Sequence, residues 1–292
     1  MTGTLYNVTQ TVFSSSDGTL VYAEAIGNKH LPALVFVHGL ALTALVWAQI
    51  LRDPRLLQFF YLVAYDMRGH GRSGKPATID GHSSKLYADD FAAVSNGFGL
   101  NSPLFIGWSL GSTIAADITL HLPPDAISGI VWTTPMPYID PDVIAAVARP
   151  EVQSLFPGLM TTDNVTLSVE TKHAFVDTLF NDPPSVPWDI RWSWAGSSTF
   201  LKPEHLSIVT SRPQDPAGLF KAGARGLPLL VFSGGQDKQL RGEPVWEIAR
   251  KYFKDSSVVF IPKGSHALFY DFKDEYVQEL AKFAKRVFGI RK

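Results

Sequence analysis

Short, uninterrupted apolar runs recur along this chain, spaced widely enough to leave room for one helix between successive runs. "VFVHG" (Val35 to Gly39), "FFYLVAYD" (Phe59 to Asp66), "PLFIGW" (Pro103 to Trp108) and "SGIVWTT" (Ser128 to Thr134) form the series in the first half. An alternating strand would show one wet face; an unbroken apolar strand is buried on both, which is the habit of a parallel sheet covered by helices. Segments with helical spacing, Ser84 to Phe98 and Gly111 to Leu122, lie between the runs. Strand and helix in this alternation predict an α/β fold. Ahead of it, "NVTQTVF" and "TLVYAEAI" flank Ser16-Asp17-Gly18 and predict a hairpin at the edge of the sheet.

The rhythm breaks between about Pro135 and Asp215. This stretch is rich in proline and aromatics, and its acids outnumber Lys and Arg about two to one, so it is not a basic membrane-seeking helix. It then resumes with "LPLLVFSGGQD" and "SSVVFIPKGSH", two more expected buried strands, with a helix from Pro244 to Phe253 between them and a closing amphipathic helix from Tyr270 to Phe288. The expected organisation is a core domain made of residues 1–134 and 216–292, with a lid inserted at 135–215.

Within this frame "FIGWSLGS" places Ser109 between Gly107 and Gly111 where a strand hands over to a helix. A turn that sharp forces its central residue toward positive φ and presses backbones together, and residues without Cβ two positions either side relieve the crowding. The strain lifts the serine oxygen off the sheet beside the positive end of the next helix, where the Leu110 N–H is free to face a developing oxyanion. A nucleophilic serine needs a base, and the base an orienting acid. His266 follows the last strand and Asp237 the one before it, so both belong to the edge of the sheet that carries Ser109. The Leu40 N–H, in the loop after "VFVHG", is the candidate second oxyanion donor. His38 has no acid near it in sequence and is expected to hold that loop in shape.

Length and composition exclude other classes. Cysteine is absent from the 292 residues, so disulfides and thiolate chemistry are ruled out. A net charge of −1 argues against a nucleic-acid partner. No apolar run is long enough to span a bilayer, and the first residues lack the pattern of a signal peptide, so a cytoplasmic address is expected. His70, His82, His121, His173 and His205 form no metal-binding spacing and are expected to be solvent-facing or structural; no metal and no cofactor is expected. The oligomeric state is left open.

With these residues in hand, the chain resembles the α/β-hydrolase superfamily along nearly its whole length. The likeness rests on "FVHGL", "YDMRGHGRSGKP", "GWSLGS" and the Asp237 and His266 loops in that order. It implies a mostly parallel eight-stranded sheet flanked by helices, with a helical lid after strand 6. It implies Ser109 as nucleophile, His266 as base, Asp237 as orienting acid, and Leu40 and Leu110 as oxyanion donors; the turn from Asp66 to Ser73 is structural. "GWSLG" is similar to the elbow of pimeloyl carrier-protein methyl ester esterases and of perhydrolases. Ser109 stands where haloalkane dehalogenases and epoxide hydrolases carry aspartate, which disfavours those chemistries. "HGLALT" lacks the proline or further glycine that many relatives have after His-Gly.

The resulting expectation is a serine hydrolase of a small to medium neutral ester or lactone. The same triad also serves hydroxynitrile lyases, carbon–carbon bond hydrolases and cofactor-free perhydrolases, and the fold serves ligand receptors. Trp188, Trp192 and Trp194, with Phe156, Phe175, Phe180 and Phe200 around them, either pack the lid onto the body or line an apolar pocket together with Trp108 and Leu40.

Overall fold

Burial on both faces is what the apolar runs encode, and the computed structural model, which describes residues 7–290, shows the sheet they build. Its strands are β1 (Thr9–Ser14), β2 (Leu20–Ile26), β3 (Ala33–Val37), β4 (Tyr61–Tyr65), β5 (Leu104–Trp108), β6 (Gly129–Thr133), β7 (Leu229–Gly234) and β8 (Ser256–Ile261). They lie in the order β1-β2-β4-β3-β5-β6-β7-β8. β1 and β2 form the edge hairpin, β2 runs antiparallel to β4, and every other pairing is parallel. Alternate residues of each central strand feed two cores. Val35, Phe105, Ile130 and Val231 face one; Phe36, Ile106, Val131 and Phe232 face the other.

The first core is covered by α1 (Ser84–Gly97) and α2 (Ile114–His121), which contribute Phe91 and Ile118. Between β6 and β7 come α3 (Pro141–Val147), α4 (Val165–Asp177), α5 (Trp188–Ser198), α6 (Pro203–Ser211) and α7 (Ala217–Ala224). The prolines that made this region look irregular are helix starts: Pro141 and Pro203 stand in first turns, where a missing N–H costs nothing. Asp140 caps α3 through the Asp142 and Val143 N–H groups, and Asn164 caps α4 through the Leu167 N–H. After β7 follow α8 (Glu243–Tyr252) and, beyond β8, α9 (Lys273–Val287), whose Val277 and Leu280 close the second core.

β8 departs from expectation. Its apolar run predicts a buried strand, yet Val258 is 38% and Phe260 46% exposed. The run is apolar enough for the interior, but β8 pairs only with β7 and is an edge of the sheet. Among the described residues no helix is long and apolar enough to cross a membrane.

Buried titratable groups tie the fold to pH. Burial, seconded by the neighbouring His38, holds the His70 imidazole down to about 3, and burial holds His82 down to about 4. His82 is placed by Tyr87 Oη at 2.8 Å and the Pro76 carbonyl at 2.9 Å. Neutral in the folded protein and about 6.5 when unfolded, these rings let the unfolded chain take up more protons as the pH drops, so stability falls. The free energy of urea unfolding is therefore expected to hold steady above about pH 7 and to decline between about pH 6.5 and 4, by roughly a few kcal/mol in all. A flat profile across that window would show the rings to be solvated.

Candidate active site

β5 ends at Trp108, and a single 3-10 turn, Ser109–Thr113, leads into α2. Ser109 has φ +52°, the left-handed region that a residue with a Cβ avoids. A Cβ on Gly107 would stand 2.5 Å from the Ser112 Cα, and one on Gly111 would press into the carbonyl oxygens of Val37, at 2.8 Å, and His38. The turn is thus wedged against the end of β3 at a spacing that side chains forbid. Ser112 Oγ donates to the Gly107 carbonyl at 2.8 Å and Thr113 Oγ1 to that of Leu110 at 2.8 Å, which closes the turn on itself.

The loops after β7 and β8 meet here. His266 is fully buried, and its Nδ1–H donates to Asp237 Oδ2 at 2.8 Å. Asp237 Oδ1 accepts the N–H groups of Gln239 (2.7 Å) and Leu240 (2.9 Å), so the carboxylate is held from both sides. The His266 carbonyl accepts from Trp108 Nε1 at 2.9 Å and Thr134 Oγ1 at 2.8 Å, which fastens the histidine backbone to the residue preceding Ser109. With Nδ1 committed to the carboxylate, Nε2 carries the lone pair. It is buried and has no hydrogen-bond partner among the described residues, Ser109 included. An imidazole so held leaves the lone pair of Nε2 unshared.

The loop after β3 supplies the opposite wall. A Cβ on Gly39 would lie 3.1 Å from that of Ser109 and 3.6 Å from its Oγ. The next residue is Leu40, whose N–H meets no acceptor among the described residues. The Leu110 N–H lies in the first turn of its helix, where the helix provides no acceptor. Both ring nitrogens of His38 are taken up by backbone groups. Its Nε2 accepts the Met67 N–H at 3.0 Å, so Nδ1 carries the proton, 2.8 Å from the Gly39 carbonyl, and burial lowers its pKa. Asp66 steadies the same loop by accepting the Ala44 N–H (2.7 Å) and the Arg72 guanidinium (2.8 Å). Burial pushes its carboxyl up, but Arg72, His38 and the Ala44 N–H together outweigh that and keep it below the ordinary value.

Above Ser109 opens a cavity of about 420 Å³. Leu40, Ser109 and Leu110 form its floor; Met136, Ile139, Ile144, Ala148, Val152, Gln153, Phe156, Phe175, Thr210, Gln239 and Leu240 line the rest, with no charged side chain among them. None of the four tryptophans, which the sequence offers either to pack the lid or to line a pocket, lines this cavity. Trp108 and Trp194 are buried together with Phe180 and Phe269 in the second core, ring centroids 4.9 to 6.2 Å apart. Trp192 packs edge-on against His173, and Trp188 is 77% exposed. Helix geometry gives the reason: a spacing of four keeps Trp188 and Trp192 on one side of α5, and the further two residues to Trp194 turn by about 200°. Phe156 and Phe175 do reach the cavity. Ile139, Ile144 and Val152 carry no local signature that sets them apart from ordinary core residues, so nothing in the sequence marks them as cavity lining. Among the described residues no cluster of three or more His, Asp or Glu is placed to hold a metal.

The family model described as the alpha/beta hydrolase fold matches residues 32–273. The chain is similar to the bifunctional esterase/perhydrolase of Acinetobacter calcoaceticus, 32% identical over 269 residues, covering 87% of this chain and 92% of the relative. It is also similar to the pimeloyl-[acyl-carrier protein] methyl ester esterase of Vibrio vulnificus, 27% identical over 270 residues, covering 87% and 94%. Among solved structures, an esterase from Rhodococcus superposes with a TM-score of 0.82 at 24% identity, covering 95% of this chain and 99% of that one, a likeness of fold.

The wedge at Ser109 makes opposite forecasts for two glycines. Gly111→Ala is expected to lower stability by about 1–3 kcal/mol, since its methyl meets backbone that cannot yield. Gly196→Ala, inside α5 with open space around it, is expected to raise stability by about 0.5–1 kcal/mol. Thermal melts of the two variants check both signs.

Proposed function

The chain belongs to the alpha/beta hydrolase fold family, and from there we propose that it is a carboxylic ester hydrolase acting through an acyl-enzyme on Ser109. The observation that carries the reading is the buried imidazole of His266, protonated on Nδ1 by its bond to Asp237 and bare on Nε2, with its carbonyl bonded to the indole of Trp108, the residue before a serine held at positive φ.

In this mechanism Nε2 takes the Ser109 proton as Oγ attacks the ester carbonyl. The tetrahedral oxyanion is met by the Leu40 and Leu110 N–H groups, main-chain donors already fixed in place, each of which is commonly worth about a hundredfold or more in rate. His266 passes the proton to the departing alcohol, and Asp237 holds the ring and its transient charge. Water then repeats the cycle and frees the acid. The segment 135–215 serves as a lid over this site, and the absence of charge from the cavity lining favours a small to medium neutral ester or lactone with an apolar acyl group.

A second reading is favoured by one relative, named as both esterase and perhydrolase. Hydrogen peroxide in place of water would attack the acyl carbon, release Ser109 Oγ with its proton restored, and leave as the peracid. Both readings share the acyl-enzyme and differ only in what resolves it.

Ser109→Ala is expected to abolish turnover of p-nitrophenyl butyrate, and Asp237→Asn to lower kcat about a thousandfold or more, by disturbing the tautomer of His266. Initial-rate assays on purified protein, with labelling of Ser109 by a fluorophosphonate, make the check. Substantial turnover by Ser109→Ala would sink the proposal, and peracid formation from peroxide and a short acyl ester would establish the second reading.

A further inference from the structure

The cavity over Ser109 has walls from both ends of the inserted segment, Ile139 near its start and Thr210 near its end. Neither is anchored by apolar packing alone. Just past Thr210, Arg212 is buried to 2% exposure and forks onto Asp117 of α2, NH1 to Oδ1 at 2.9 Å and NH2 to Oδ2 at 2.7 Å. NH2 also reaches Thr113 Oγ1 at 3.1 Å, and the guanidinium lies 3.9 Å from the centre of the Tyr87 ring. Two residues on, Gln214 donates to the Thr113 carbonyl at 2.7 Å and to Asp117 Oδ1 at 2.8 Å, while its own carbonyl accepts the Ile139 N–H at 2.7 Å. Ser84 Oγ completes Asp117 at 2.6 Å. Thr113 Oγ1 in turn donates to the Leu110 carbonyl. One unbroken polar line therefore runs from Leu110, through α2, to both stems of the segment.

We propose that Arg212 and Gln214 are specificity-determining positioning residues, which lock the two stems of the inserted segment onto the helix behind Ser109 and so set how wide the acyl cavity is between Ile139 and Thr210. This rests on the serine hydrolase reading and adds to it the device that sizes the acyl group. The chemistry suits the task. A buried Arg–Asp fork gains little net stability over apolar packing, but it admits one register and one separation, whereas apolar contacts can slide. Gln214 uses both of its amide hydrogens and its oxygen, so a residue of equal length without those groups releases Ile139 from Thr113 at a single step. Both residues act through others, since neither lines the cavity.

The test compares wild type, Gln214→Met and Arg212→Lys on p-nitrophenyl esters from acetate to octanoate, with amide hydrogen exchange at Ile139. Met keeps the length of Gln214 and drops its hydrogen bonds; Lys keeps the charge opposite Asp117 and loses the fork. In each variant the ratio of kcat/KM for octanoate to that for acetate is expected to rise about tenfold, carried by KM for the long ester, with kcat on acetate changed by less than about threefold. Exchange at Ile139 is expected to speed up in Gln214→Met. Faster exchange at Ile139 with an unchanged acyl preference in both folded variants would overturn the proposal, for the stem would then be free without consequence. Wild-type protein that turns over no ester, or turnover that survives Ser109→Ala, would instead defeat the hydrolase reading beneath it.

Discussion

Backbone atoms of Gly111 lie so close to the carbonyls of Val37 and His38 that no methyl group fits between them. That contact joins the turn after β5 to the end of β3, and the rest of the site follows from it. It holds Ser109 in the left-handed region and brings Gly39 under its side chain. Neither strand could supply this geometry alone. Strain at one residue persists only when its surroundings over-determine it, and here the parallel pairing of β3 with β5 does so over Leu34 to Val37.

Charge inside the protein is used for placement. Three Asp–Arg pairs with a buried carboxylate each bridge segments that meet only in the fold or at a tight turn: Asp66 with the exposed Arg72, Arg68 with Asp90, and Arg212 with Asp117. Removing two charges from water offsets most of what their attraction returns, so such pairs contribute little to stability. Their value is directional. Asp66 shapes the loop that presents Leu40, Arg68 fastens the turn after β4 to α1, and Arg212 fastens the inserted segment to α2. The exposed pairs, such as Lys85–Asp89 and Lys282–Glu279, have no comparable geometric task and little energetic one.

Most of the sheet was legible because strands buried on both faces must be apolar without interruption, and the turn at Ser109 was legible because its strain demands glycine at fixed offsets. That Asp237 and His266 come together follows from topology: parallel strands finish at one edge, so loops that follow β7 and β8 are neighbours. What stayed hidden depends on packing partners. The run in β8 is as apolar as an interior strand, and only the strand order reveals it as a border. Tryptophans of α5 announce bulk without direction, and docking sends Trp194 inward and Trp188 out. Arg212 and Asp117 lie 95 residues apart, with nothing in either neighbourhood to name the other.

The stretch from Phe175 to Asn181 touches the body at several points. The Leu179 carbonyl takes the Ala267 N–H at 2.9 Å, the Phe180 carbonyl takes Lys238 Nζ at 2.9 Å, Thr178 Oγ1 takes Gln239 Nε2 at 2.8 Å, and Asn181 Nδ2 donates to the Lys263 carbonyl at 2.6 Å. Those partners flank Asp237 and His266. The roof of the cavity is therefore also a buttress for the two loops beneath it, and it is not a detachable module. A chimera that borrowed another relative's roof would keep the Asp237 and His266 loops in place only if this seven-residue ledge, or an equivalent, travelled with it.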